Sequence, residues 1–142
     1  MSAFNKFNSF VEAVAEKTHN LGSDTLKVAL TNTAPSATDT TFAPGGAHPP
    51  PAAANGYTTG GHTTAQTGSA QTSGTYKLTL TDVVITATAG GIGPFRYAIL
   101  YNDTAAADEL IGYWDYGSSI TLNSGETFTV DMDATNGVLT IA

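Results

Sequence analysis

Gly93 to Ala142 reads GPFRYAILYNDTAAADELIGYWDYGSSITLNSGETFTVDMDATNGVLTIA, and the alternation inside it decides the fold. Phe95, Tyr97, Ile99 and Tyr101 fall on one side of an extended chain, with Ala98 and Leu100 on the other. Apolar residues on both faces mark a central strand. Asn102 to Ala107 is small and polar, which suits a loop. Leu110 to Tyr116 and Ser118 to Leu122 each read as a further strand. Asn123-Ser124-Gly125 then turns the chain into Thr127 to Asp133, and Asn136-Gly137 is a hairpin signal before Val138 to Ile141.

Upstream, Tyr76, Leu78 and Leu80 alternate, and the phase then slips at Thr81-Asp82 to bring Val83, Ile85 and Ala87 into step. A slip of one residue exchanges the two faces, so a bulge or tight turn belongs at Asp82. Gly90-Gly91 and Gly93-Pro94 are turn signals. Residues 75–142 thus read as a β-rich body, and the chain as a whole counts about seven or eight short strands at sandwich-like spacing. The expectation is mainly β: one domain over 1–142, an antiparallel β-sandwich or jelly-roll-like fold.

Residues 1–22 read as an amphipathic helix, because Phe4, Phe7, Val11 and Val14 recur at helical spacing and Phe10 widens the stripe. Ser2 suits the N-cap and Gly22 the stop. That helix either packs on its own domain or docks Phe4, Phe7, Phe10 and Val11 against a neighbouring subunit. Residues 24–32 alternate Leu26, Val28 and Leu30 against Lys27 and Ala29, as a half-buried strand does. Residues 33–74 form a long Pro/Gly-rich arm holding Pro35, Pro44, Pro49, Pro50 and Pro51, with Phe42 and Tyr57 nearly alone as core formers. Pro49 to Pro51 favours polyproline II. At about 3.3 Å per residue, half of this arm could reach roughly 65 Å. The arm either clamps a neighbour or folds over its own sheet, with short strands near Thr58–Thr64.

Charged residues make up only 12% of the chain, about half the usual share. A surface this bland suits a molecule covered by copies of itself or by a partner. The net charge of −7 belongs to the last third, where Asp103, Asp108, Glu109, Asp115, Glu126, Asp131 and Asp133 meet no base. An acidic, Lys-poor chain is a poor binder of nucleic acid or of a membrane surface. With no cysteine there is no disulfide, thiolate zinc site or cysteine nucleophile. No stretch resembles a signal peptide or reaches the roughly 18 apolar residues of a membrane span, so the expectation is a product made in the cytoplasm.

No catalytic constellation emerges. His19, His48 and His62 lack metal-ligand spacing. Asp131-Met132-Asp133 begins like a calcium loop, but Asn136 and Ala142 stand where such a loop needs Gly and Glu. Ser118-Ser119 sits in no nucleophile elbow. Paired carboxylates could be drawn from Asp103, Asp108, Glu109 and Asp115, although acids at loops and edges usually just meet water. Tyr113-Trp114-Asp115-Tyr116 is the remaining cluster: alternation groups Trp114 with Leu110 and Tyr116, as core, as a subunit interface, or as a stacking surface for a glycan. The expectation is therefore no enzyme, no cofactor and no metal.

KVALTNTAP (Lys27–Pro35), NGYTTGG (Asn55–Gly61), the run TYKLTLTDVVITATAGGIGPFRYAILYND (Thr75–Asp103) and the run Leu110–Ala142 are similar to small virion proteins of tailed bacteriophages. The resemblance implies a structural part, most often a head decoration (cement) protein and sometimes a tail or fibre component. On that footing the expected partners are other copies, as a homotrimer, and the major capsid protein. The expected location is the virion, assembled in the host cytoplasm. The contact residues would come from Phe4, Phe7, Phe10, Val11, Pro49, Pro50, Pro51, Tyr57, Tyr113, Trp114 and Tyr116.

Overall fold

A computed structural model describes residues 2–142. In chain order the elements are β1 (Phe4–Lys6), α1 (Ser9–Ala15), β2 (Leu26–Thr31), β3 (His62–Thr64), β4 (Gln66–Thr72), β5 (Thr75–Leu80), β6 (Val83–Thr86), β7 (Ile92–Asn102), β8 (Leu110–Leu122), β9 (Thr127–Val130) and β10 (Leu139–Ile141). The strands form a five-stranded sheet of order β1-β8-β7-β2-β3, a three-stranded sheet β10-β5-β4 and a two-stranded sheet β6-β9. Every pairing is antiparallel. The chain is mainly β, as its alternation predicts.

The centre of the large sheet is β7, which pairs with β2 from Leu26↔Asn102 to Thr31↔Tyr97 and with β8 on its other side. Both of its faces are covered. One face joins a large cluster with residues of all three sheets, including Val28, Leu78, Ile85 and Leu100. The opposite face packs a smaller cluster of Phe7, Ala29, Phe42, Ile99, Tyr101 and Leu110. The slip at Thr81-Asp82 is where the chain passes from β5 to β6 in another sheet, and Asp82 accepts the Met132 N–H at 2.8 Å.

Several sequence expectations need correction. The helix covers Ser9–Ala15 rather than 1–22, with Asn8 at its N-cap, and Lys17 ends it in a left-handed conformation (φ 65°). Phe4–Lys6 instead pairs with Gly112–Trp114 as a strand. Cross-strand packing outweighs helical spacing here. The Phe4 ring lies over Gly112, where an added Cβ would collide with it, and meets Trp114 at a centroid distance of 5.1 Å. Phe7 then enters the small cluster and Phe10 the large one. Within the segment 24–32 the strand Leu26–Thr31 is buried on both faces, not half-buried, because Ala29 also packs in the smaller cluster. Leu110–Tyr116 and Ser118–Leu122 are one strand, with Gly117 (φ 100°) inside it. Gly93-Pro94 does not turn the chain but lies in β7, where the register shifts. Asn136-Gly137 makes no hairpin between neighbours, since β10 pairs with β5 and not with β9.

The region 33–74 is not one arm. Irregular chain ends at Gly61, and β3 and β4 occupy most of the remainder. The irregular part lies on its own domain. Phe42 stacks on Tyr101 at 4.4 Å, and Phe42 N and Leu110 N donate to the Asp108 and Thr40 carbonyls. Pairing of β2 with β3 stops at Val28↔His62, so the edge of β2 beyond it has no strand partner on that side. The loop supplies the substitute: the Leu30 N–H donates to the Tyr57 hydroxyl at 2.8 Å, and Thr31 Oγ1 donates to the Pro49 carbonyl at 2.8 Å. Gly61 (φ 77°) permits the close crossing, as a Cβ there would meet the Val28 backbone.

Candidate functional site

A concavity of about 410 Å³ opens between the inner face of β7–β8 and strand β9. Ala98 and Trp114 face each other across the β7–β8 ladder and form its floor with Val130. Trp114 is only 8% exposed, so little of the indole reaches the groove. Tyr116 and Phe128 form an aromatic wall, meeting edge to face at 5.6 Å, and Phe128 is braced by Phe95 at 5.0 Å. Tyr116 is 53% exposed. Arg96, Asp131 and Ser2 lie at the rim.

The rim charge is mostly internally matched. Arg96 donates from Nε to Asp115 Oδ1 at 2.7 Å and from Nη2 to Oδ2 at 2.9 Å, a two-pronged pair of fixed geometry. Those bonds, and then the Gly117 N–H, hold the Asp115 carboxyl below its ordinary range. The groove thus presents packed aromatic rings, an internally matched ion pair and one further carboxylate, Asp131.

The expected contact residues divide sharply. Trp114 and Tyr116 line the groove, and Phe4 braces Trp114 from β1. Phe7, Phe10 and Tyr57 are buried in the domain itself, as is Pro51. Pro49 and Val11 are exposed, Pro50 and Tyr113 half-buried, and none of these four lines the groove. Alternation had grouped Trp114 with Leu110 and Tyr116. A register shift near Leu100/Tyr101 breaks that phase, leaving Leu110 with the small cluster and Trp114 with the large one. Arg96, Ala98, Phe128, Val130 and Asp131 were missed, and the only signal for them was a long-range strand pairing that local alternation does not carry.

The remaining polar groups hold the fold. His48 is fully buried against Phe42; its Nδ1 accepts the Ala43 N–H at 3.1 Å and its Nε2 lies 3.1 Å from Asp39 Oδ2. His62 is held below its ordinary pKa by burial. Tyr57 is pushed up to about 12, by burial first. Asp103 pairs with Lys27 at 3.1 Å, while burial and then Asp103 and Glu109 raise Asp108. Asp133 accepts the Thr135 and Asn136 N–H groups at 2.9 and 2.8 Å, which makes it a turn former. Among the described residues no group of three or more His, Asp or Glu side chains could hold a metal, and no helix is long and apolar enough to cross a membrane. Comparison with protein-family models, with curated proteins and with solved structures gave no match.

Proposed function

We propose that the chain is a non-enzymatic structural protein of a tailed-phage virion, a head decoration protein that binds the outer surface of the shell as a homotrimer. In this reading the five-stranded sheet and the two smaller sheets act as the layers of a jelly-roll-like sandwich. The resemblance of the segments quoted above supports the virion assignment. The observation that carries the assembly role is the half-exposed Tyr116 ring, braced by Phe128 above a floor that includes Trp114, whose flanking charges Arg96 and Asp115 already satisfy each other. Aromatic anchors in a rigid setting bind a protein partner at low ordering cost. The major capsid protein is the partner this reading assigns to it. A tail or fibre role with glycan stacking on Trp114 is less well supported, because the indole is only 8% exposed and Phe4 lies against it.

The test is Tyr116→Ala, since half-exposed Tyr116 can be removed without opening the core. Loss of a central aromatic anchor typically weakens a contact by about 2 kcal/mol, near thirtyfold. Co-sedimentation with purified heads lacking the protein should show that loss. Unchanged binding by the folded variant would remove the groove from the contact, and binding to tails instead of heads would remove the decoration role.

A further inference from the structure

We propose that His19 is an acid-sensitive latch, whose protonation releases α1 and the following segment to Asp24 from the end of β7 and uncovers Phe10 and Leu21. The inference is independent of which partner the protein binds. His19 is 6% exposed, and its ring stacks on Phe10 of α1 at 5.6 Å. Its Nδ1 lies 3.0 Å from Nδ2 of Asn102, a wholly buried residue at the end of β7. The Asn102 amide cannot turn around. Its Oδ1 accepts the Thr104 and Ala105 N–H groups at 3.0 and 3.2 Å, and its Nδ2 also donates to Asp24 Oδ2 at 2.7 Å. An amide nitrogen only donates, so Nδ1 of His19 must accept, and the ring is neutral with its proton on Nε2. That Nε2 is buried and makes no well-formed hydrogen bond, although the Leu110 carbonyl lies close enough to the ring to favour its charged form.

A second proton would place an Nδ1–H against the Asn102 NH₂ and a cation in a buried site. The charged groups around the ring do not offer a simple rescue. Asp24 comes from the entry to β2, and its Oδ2 is already engaged by Asn102 and by the Asn20 N–H at 2.8 Å. Glu109 faces His19 from the start of β8. Lys17, from the end of α1, and Tyr76, from β5, line the same cavity as the ring. Burial outweighs the two acids and the Leu110 carbonyl, and holds the ring below its ordinary pKa. A cavity of about 400 Å³ beside the ring lets water reach this junction when the segment loosens. Charging the ring therefore costs more inside the site than outside it, so protonation favours release.

The protein should be followed by amide hydrogen exchange and histidine NMR from about pH 7.5 to 4.5, spanning the ordinary histidine range. Wild type should show His19 as the Nε2–H tautomer at neutral pH. After correction for intrinsic rates, exchange at residues 10–21 should rise about tenfold or more on acidification while Ile99 to Tyr101 stay protected. His19→Gln can accept the Asn102 bond but cannot charge, and should keep residues 10–21 protected throughout. Opening of His19→Gln along the wild-type curve would overturn the latch. If that variant does not fold, the wild-type titration decides: opening that coincides with His19 protonation supports the latch, and protonation without opening overturns it.

Discussion

Removing one oxygen from Tyr57 should measure how far the loop stabilises the sheet it covers. Tyr57→Phe keeps the ring, which is 3% exposed, but deletes the hydroxyl that accepts the Leu30 N–H at 2.8 Å and lies 3.4 Å from the Leu30 carbonyl. Leu30 is wholly buried, so its N–H would be left without a partner. An unsatisfied buried donor costs about 1–3 kcal/mol, against near neutrality had both partners been apolar. For a domain of this size that predicts a fall in Tm of roughly 3–10 °C. Urea unfolding should show a lower midpoint with unchanged slope, because the same surface is still buried. Tyr57→Ala should cost more, about 3–5 kcal/mol, since it also empties the ring's place in the large cluster. If Tyr57→Phe loses less than about 0.5 kcal/mol, the β2 edge is satisfied in another way and the loop is an ornament on the sheet.

Gly112→Ala should destabilise the domain by about 1–3 kcal/mol or detach β1, because the added Cβ meets the Phe4 ring; Phe4→Ala in the same chain should recover part of the loss. Phe7→Asp should fail to fold, since Phe7 is wholly buried, whereas Val11→Asp, at a residue 56% exposed, should fold normally by circular dichroism. A soluble, native Phe7→Asp protein would return α1's flank to the docking role. Acid should weaken the fold: His19 and His62 are both held below their ordinary range in the folded chain, chiefly by burial. Above about pH 6.5 both states are neutral and stability is full; as pH falls through that value the unfolded chain takes up protons that the folded one resists. Unfolding midpoints at pH 7.5, 6 and 5 should therefore descend, and a flat or rising series would contradict the burial of both rings.

Strand identity was legible where alternation was local. Tyr76–Leu80, the slip at Asp82 and the two-faced run Phe95–Tyr101 all correspond to real features, since period-two burial is written in consecutive residues. The failures share a different cause. Phe4, Phe7, Val11 and Val14 have helical spacing, yet a three-residue pairing with β8 takes the first of them, and the distant Gly112 decides it. Likewise the two-faced burial of β2 depends on Phe42 arriving from the loop to cover Ala29's side. A sequence states what each residue prefers, not which distant residue arrives to meet it.

The same distinction separates composition from role in the Pro/Gly-rich loop. Its scarcity of apolar residues suggested a segment with nothing to bury, available for a neighbour. Yet two rings anchor it: Phe42 on Tyr101, and Tyr57 at the unpaired edge of β2. Burying an aromatic ring contributes about 1.5–3 kcal/mol, and the backbone bonds at Thr40, Phe42 and Pro49 add to it. His48 and Pro51 are also buried between those points, so the segment is a lid on one sheet rather than an arm in search of another. Tyr116, by contrast, stands half-exposed on a strand that could have carried a Thr or Ser there, and it is braced by Phe128 instead of being folded away. An exposed ring held in place is what a contact surface requires, and that is why the proposed assembly role falls to the groove rather than to the Pro/Gly segment.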